Sequence, residues 1–533
     1  MKRCVTIFIL AAMIFTCAVG VMGCCDTQTE DIHIDESYAD DIYTNGITQV
    51  QPIELTIFMH MGAWGEMNPD WVIYGRDGGA AAMTNVDLRG VSVVTSGGSS
   101  LMTIPSPLPD IIQGNKTNLN RAGVEDESMM LPLNDLITDE YAPNIKRFFK
   151  ENPEAWAGSV AEDGNLYFIP HMYEGTPSRG FFIRKDWLDK LDLEIPTTLD
   201  EYYAVLKAFR EQDPNGNGKK DEVPYFDRDG GIDGLIQLWG LTTNNWGIDE
   251  NGNVYFGKVT PEYKVAITEI AKWHAEGLID HEIFTRGQKS RDLLFGDNRG
   301  GATVDWFSST SRYNSLASGI DGFELIAIAP PADINGNVKI VFSRQQFSGQ
   351  GWGISKDNVH PVRTMQYLDF WFSERGQRLY SYGIEGVDYN MLDGVPTFTE
   401  FVLDHPDSAP VYLRFRGQHE IGALMPADAE IATMHEKGAE GYRMYMDNGY
   451  IVPGFPKLSY TAEEEKILSS KSDVIFSYIR EWDQRWFLGQ ADVDETWDDY
   501  LSVLDSLGLD EIREVHQAAY DRHLSKLEAV RRW

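Results

Sequence analysis

The chain is 533 residues long and carries 46 Lys and Arg against 82 Asp and Glu, a formal charge of −36. With 42% hydrophobic residues, 12% aromatic residues and 14 Trp it is no disordered acidic tail, which would lack aromatics. The acidity argues against nucleic-acid binding, because phosphates are repelled and no basic patch stands out. The length allows a large core split between two or more units.

The first elements concern targeting. Lys2 and Arg3 precede an uncharged, apolar run from Val5 to Val21, which ends in Val21-Met22-Gly23-Cys24. A small residue directly before Cys behind such a run is a lipobox. Residues 1–23 read as a signal peptide, and Cys24 as the thiol that is lipidated after cleavage. Two acyl chains hold a protein firmly to a bilayer, here on the extracytoplasmic face of the cell membrane. All four cysteines (Cys4, Cys17, Cys24, Cys25) lie in this segment, so the body has no disulfide, thiolate metal site or Cys nucleophile. Residues 24–50 are polar, acid-rich and aperiodic, a flexible tether. No second apolar stretch of about 18 residues follows.

The body begins with a strand at Gln51 to Phe58, and short apolar runs recur at Val91–Val94, Leu325–Ile328 and Lys339–Phe342. Thr198 with Glu201 reads as a capping box opening a helix with Leu199, Tyr202, Leu206 and Phe209 on one face. Thr461 with Glu464 opens another. Ile475, Tyr478, Ile479, Trp482 and Trp486 form a helical stripe, as do Trp497, Leu501 and Leu504; such stripes are expected to be core. The mixture predicts an α/β fold, and about 480 residues of body should divide into two lobes.

Asp213-Pro214-Asn215-Gly216-Asn217-Gly218-Lys219-Lys220-Asp221-Glu222 places side-chain oxygens at loop positions 1, 3, 5 and 9, with Gly218 at position 6. That spacing surrounds a hard cation in an EF-hand loop, where position 7 (Lys219 here) offers its carbonyl. Position 12 is Pro224 rather than Glu, so Asp221 and Glu222 must supply the last oxygens. A structural calcium ion is the expected occupant. Asp249–Asn253 and Asp333–Asn337 share the Asp-x-Asn-Gly-Asn opening but run into Val254 and Val338, and they read as turns.

The 213–224 stretch resembles the Asp-Pro-Asn-Gly-Asn-Gly-Lys-x-Asp-Glu-x-Pro loop of one branch of the bacterial extracellular solute-binding proteins. These are family 1 of the ABC importers, in the branch with the alginate-oligosaccharide binders. Leu108–Ile112, Leu131–Ile137, Arg184–Leu191, Glu276–Asp280, Gly383–Gly386 and the end from Thr496-Trp497 to Asp521-Arg522 are similar too. The resemblance spans roughly 51–525. It implies a two-lobed, periplasmic-binding-protein-like (type II) α/β fold with hinge crossings near 170, 332 and 396. The N-terminal lobe would be 51–170 plus 332–395 and the C-terminal lobe 171–331 plus 396–533. An oligosaccharide would sit in the interlobe cleft, with ABC permease subunits as partners. It also carries over the calcium ligands Asp213, Asn215, Asn217, Lys219, Asp221 and Glu222. A monomer is expected, with no nucleic-acid partner.

Aromatics in turns or at strand ends are the better cleft candidates. Trp306 ends an apolar strand and its place resembles a sugar-stacking Trp of the family. Trp64 stands in a Gly-rich loop, Trp352 between Gly351 and Gly353, and Tyr173 after Pro170-His171-Met172. Asp305 and Arg344 are polar candidates, with a solvated salt bridge as the alternative for each. No catalytic residue is assigned: a serine-hydrolase elbow, a Walker loop and a two-His zinc motif are all missing. A secreted carbohydrate-active hydrolase and a non-transport surface carbohydrate-binding protein are the rival classes.

Overall fold

The computed structural model of the protein describes residues 51–59, 71–91, 104, 106–124, 129–228, 232–243, 245–341, 344–406, 408–419 and 421–530. The signal peptide, Cys24, the tether, Trp64 and most of the 91–94 run lie outside them.

Alternation in Ile53–Phe58 (β1) buries Leu55 and Ile57, and the strand pairs in parallel with Val86–Gly90 (β2) and Ile111–Asn115 (β3). Ile169–Tyr173 (β4) completes the chain's first visit to this sheet. Arg179–Arg184 (β5) and Val223–Tyr225 (β6) then open a second sheet. Trp246–Ile248 (β7) and Val254–Phe256 (β8) form a hairpin, and Gly300–Trp306 (β9) and Leu325–Ile328 (β10) complete the second sheet. The chain returns with Phe347–Ile354 (β11), makes the hairpin Tyr389–Leu392 (β12) and Val395–Phe398 (β13), and adds Leu424–Met425 (β14). The sheet orders are β14-β4-β11-β3-β1-β2 and β10-β5-β9-β6. Strand β11 runs antiparallel to both β3 and β4. Two large separate cores follow these sheets, which makes the molecule two-lobed as expected.

The chain passes between the lobes at residues 174–178, between Ile340 and Phe347, and after Met425. The third passage is later than the 396 expected from sequence, and residues 396–425 belong to the first lobe rather than the second. The reason is packing: Tyr382, Tyr389, Phe398, Val402 and Leu413 form a small cluster beside the first lobe, and β14 then pairs with β4. Residues 332–341 stay with the second lobe, where Ala332 bonds Thr197 and Leu199 and Ile340 joins the core.

The helices follow their sequence signals. Thr198 caps Leu199–Glu211 by accepting from Glu201 N at 3.2 Å, and Tyr202, Val205, Leu206 and Phe209 are buried at helical spacing. Burying each is worth about 1.5–3 kcal/mol, whereas Thr198→Ala would cost about 1. The Glu201 carboxylate reaches back to Thr197 N rather than to Thr198, a variant of the box. Thr461 and Glu464 make the full capping box of Ala462–Phe487. Of the two stripes, Ile475, Ile479, Trp486, Trp497 and Leu504 are buried as predicted, and Tyr478, Trp482 and Leu501 are half-buried. Asp249–Asn253 is the hairpin turn between β7 and β8, and Asp333–Asn337 closes in the same way.

Candidate functional site

Between the lobes lies a cleft of about 770 Å³. The first lobe contributes His171, Tyr173 and Tyr380 to its lining, and the second contributes Trp246, Trp306 and Glu430. Arg344, on the second crossing, lies between them.

Trp306 is placed by β9. Gly300 to Asp305 are all buried, and a Cβ at Gly301 would meet the Pro224 carbonyl at 2.7 Å, so the strand is drawn tightly into the second lobe. Its last residue is left half-buried at the cleft wall. Asp305 does not reach the cleft. Only 1% exposed, it accepts Trp306 N at 2.7 Å and Arg228 Nη2 at 3.0 Å on Oδ1, while Arg291 Nη1 stands 3.4 Å from Oδ2. The Arg179 guanidinium lies 5.1 Å over the indole. Asp305 therefore holds the start of Trp306 from behind.

Arg344 donates to both oxygens of Glu430, at 2.8 and 2.6 Å, and to the Gly175 carbonyl at 2.8 Å. Its guanidinium lies 3.9 Å from the Tyr173 ring centre. Burial opposes the Arg344 charge, but Glu430 more than offsets it and holds the guanidinium above its usual pKa. One arginine thus fixes Tyr173 of the first lobe, Glu430 of the second and the crossing at Gly175.

Trp352 does not belong to the site. It is 0% exposed in the first core, stacked on Tyr367 and edge-on to Trp371. Glycines on either side marked it as a turn residue, but they serve the close packing of β11: a Cβ at Gly351 would strike the Ile169 carbonyl. Sequence reasoning missed His171, Trp246, Tyr380, His419 and Phe455. Trp246 opens β7 directly after an Asn-rich turn, and Phe455 lies in Pro453-Gly454-Phe455-Pro456, so the criterion of aromatics in turns or at strand ends would have found both. Burial pushes His171 down to about 3 and His419 to about 4, so both are neutral at pH 7. His171 Nδ1 and His419 Nε2 are themselves buried rather than open to the cleft.

The 213–222 loop folds as an Asx-rich turn. Asp213 accepts the amides of Asn217 and Gly218, and Gly216 and Gly218 take φ of 72° and 74°. Asn215 and Asn217 donate to Asp221 Oδ1 at 3.3 and 3.0 Å. Arg210 and Arg299 hold the loop's far end through the carbonyls of Glu222 and Asp221. Among the described residues no three His, Cys, Asp or Glu side chains are gathered as a metal cluster; this loop's oxygens include Asn amides and a backbone carbonyl. Glu222 nevertheless fits a cation. It is 2% exposed, neither carboxylate oxygen has a hydrogen-bond partner, and burial with Asp213 and Asp221 nearby raises its pKa. A buried acid among acids is what a bound cation would relieve.

Two lobes, three crossings and an aromatic-lined cleft define a hinged ligand-binding protein. The chain belongs to the bacterial extracellular solute-binding protein family, which matches residues 87–378, more than half its length. It is 26% identical over 454 residues to the fructooligosaccharide ABC transporter substrate-binding protein FusA of Streptococcus pneumoniae serotype 4 (strain ATCC BAA-334 / TIGR4), covering 78% of this chain and 80% of that protein. Lipoprotein LipO of Bacillus subtilis (strain 168) is 32% identical over 229 residues, 41% of this chain and 45% of its own. Among solved structures, alginate-binding protein AlgQ2 without calcium ion is 36% identical with a TM-score of 0.73, covering 88% of this chain and 98% of that one. Among the described residues no helix is long and apolar enough to cross a membrane.

Proposed function

We propose that this protein is the substrate-binding subunit of a carbohydrate ABC importer, held to the membrane by lipid on Cys24, that captures an oligosaccharide between its lobes and passes it unaltered to the permease. The observation that carries this reading is the convergence of Trp306 from one lobe with Tyr173 from the other on one cleft, joined across the hinge by Arg344. A ligand touching both lobes favours the closed form, because only that form makes both sets of contacts. Aromatic faces with a few polar groups suit a sugar, whose buried hydroxyls need partners. FusA and AlgQ2 support the ligand class, and LipO supports the anchor. Asp213, Asn215, Asn217, Asp221 and Glu222, with the Lys219 carbonyl, would hold a calcium ion that staples the end of helix 199–211 to β6. No covalent step is assigned to the cleft.

The test is calorimetry against fructo-, xylo-, malto- and arabino-oligosaccharides and against oligogalacturonate and alginate oligomers, with the ligand recovered and analysed afterwards. Micromolar binding, about −8 kcal/mol, with the ligand intact supports the reading. Shortened product would make the protein a hydrolase. Binding to polymer without binding to short oligomers would make it an adhesin.

A further inference from the structure

We propose that the ligand site does not end at the cleft but continues past Trp246 and Phe455 into a second chamber on the second lobe, which takes additional uncharged sugar residues of the same chain. The inference rests on the oligosaccharide reading above. The second chamber has a volume of about 740 Å³, nearly that of the cleft. Each volume alone falls in the range of roughly 300–1,000 Å³ usual for a complete small-ligand site. Thr243, Trp246, Gly454 and Phe455 line both spaces, so the two are neighbours across one threshold rather than separate dimples.

That threshold is built. Trp246 is 7% exposed and is fixed by Phe256 at 5.0 Å and His516 at 4.4 Å between ring centres. Phe455 packs against the same imidazole at 5.6 Å, and its carbonyl accepts the Gln345 side-chain amide from the hinge. Of the two aromatics flanking the passage, the half-buried Phe455 offers ring surface to a chain of sugars threading it, and Trp246 offers its edge. Beyond them the walls are the hairpin β7–β8 and the segments around Val341 and Val452, which run side by side where Ile340 N donates to Tyr450 O and Val452 N to Ile340 O.

The lining sets the ligand class. Thr242 and Tyr255 share a hydroxyl–hydroxyl bond and Thr260 adds a third hydroxyl. The charged residues of the lining are Asp249, Glu250 and Glu262, with no Lys, Arg or His among the described ones. Asp249 spends its oxygens on Asn251 and Asn253 to close the turn, whereas Glu250 and Glu262 are exposed acceptors. Carboxylates accept sugar hydroxyls and repel a uronate. The cleft differs, having Arg344 and Lys457 in its lining.

The experiment measures affinity against chain length, from two to eight units, for the six oligosaccharide series named above, using wild type, Thr242→Trp and Glu262→Trp. Both substitutions put bulk in the chamber from exposed positions that do not line the cleft. The expected result is a neutral series whose affinity rises about tenfold or more once it outgrows the cleft. Either Trp variant should abolish that rise and leave short oligomers unaffected. A plateau at cleft length, or a rise that survives both variants, overturns the second chamber while leaving the function standing. An acidic series gaining as much from length as a neutral one overturns the assignment of uncharged residues. No binding by any series, short or long, defeats the oligosaccharide reading and this inference together.

Discussion

Asp305→Asn isolates what the hidden charge behind Trp306 does. The substitution keeps the shape and lets Oδ1 go on accepting Trp306 N, but it strips the counter-charge from Arg228 and Arg291, whose side chains are 16% and 11% exposed. Removing one partner of a buried ion pair costs about 3–5 kcal/mol, because the other charge stays buried. Two cations are orphaned here, which argues for the upper end. Against that, Arg228 keeps Gln288 at 2.9 Å, and Arg291 keeps the Ser309 and Thr310 hydroxyls at 2.7 and 2.9 Å. The lower figure, about 3 kcal/mol, is therefore expected. For a unit of 150–250 residues each kcal/mol moves Tm by about 2–4 °C, so the second lobe should melt about 6–12 °C earlier. Scanning calorimetry reads this directly, since a lobe-specific loss splits or advances one transition and leaves the other. A variant whose transitions all stay within about 2 °C of wild type would refute the claim that these arginines depend on Asp305.

Trp306→Ala should weaken oligosaccharide binding by about 2 kcal/mol or more, roughly thirtyfold, with Tm little changed; isothermal calorimetry checks it. Trp352→Ala should do the reverse, lowering stability by about 3–5 kcal/mol in denaturant titration while the folded fraction binds sugar normally. Thorough chelation of calcium should lower Tm, since a cation at 100 times its Kd stabilises the fold by about 2.7 kcal/mol, and Glu222→Gln should remove most of the difference between chelated and calcium-loaded protein. His171, neutral in the fold with its pKa lowered by burial from 6.5 to about 3, makes acid destabilising. Its contribution is fully present above pH 6.5 and is lost as pH falls from 6.5 toward 3, because the unfolded chain binds the proton first. Thermal melts of wild type and His171→Gln should converge across that window.

Elements whose cause is local were legible in the sequence. The caps at Thr198 and Thr461, the stripe through Trp486 and the strand Leu325–Ile328 need only their own neighbours to form. The Asx turns at 249 and 333 read differently from the 213 loop because Val254 and Val338 stand where that loop has Gly218, and no acids follow them. The site was half legible. Trp306 and Tyr173 stand at strand ends, where a side chain outlives its ladder. Trp352 deceived, since glycine neighbours signal either a turn or a tight strand crossing, and only the Ile169 backbone lying against Gly351 decides between them. Asp305 deceived differently: an acid beside a cleft-lining Trp looks like a ligand contact until Arg228 and Arg291, 77 and 14 residues away in sequence, arrive to neutralise it. The third crossing was misplaced because no local signal records that β14 pairs with β4, 250 residues earlier.

The contacts behind the hinge constrain how the lobes can move. Helix 509–530 packs on helix 462–487 of the second lobe and on helix 153–159 of the first. His523 Nε2 stands 2.8 Å from Glu154 Oε2, Lys526 Nζ donates to Val160 O at 2.7 Å, and Ser459 Oγ donates to the same carbonyl at 2.8 Å. Lys116 Nζ adds a bond to Lys457 O at 2.8 Å. All four join first-lobe residues 116–160 to the C-terminal segment. Opening the lobes on that side would break all four together, an expensive way to move. The opposite side carries the cleft, the crossing at 174–178 and the crossing that begins at Ile340, where Ile340 pairs with Ile451 of the second lobe. Rotation about an axis near those crossings changes the cleft width and spares the bonds behind it. Arg344, bonded to one crossing while lying on another, sits close to that axis, whereas Trp306 rides on the moving lobe. Under the function proposed above, such a rotation would carry Trp306 across the cleft toward Tyr173 and Arg344, which line its other side.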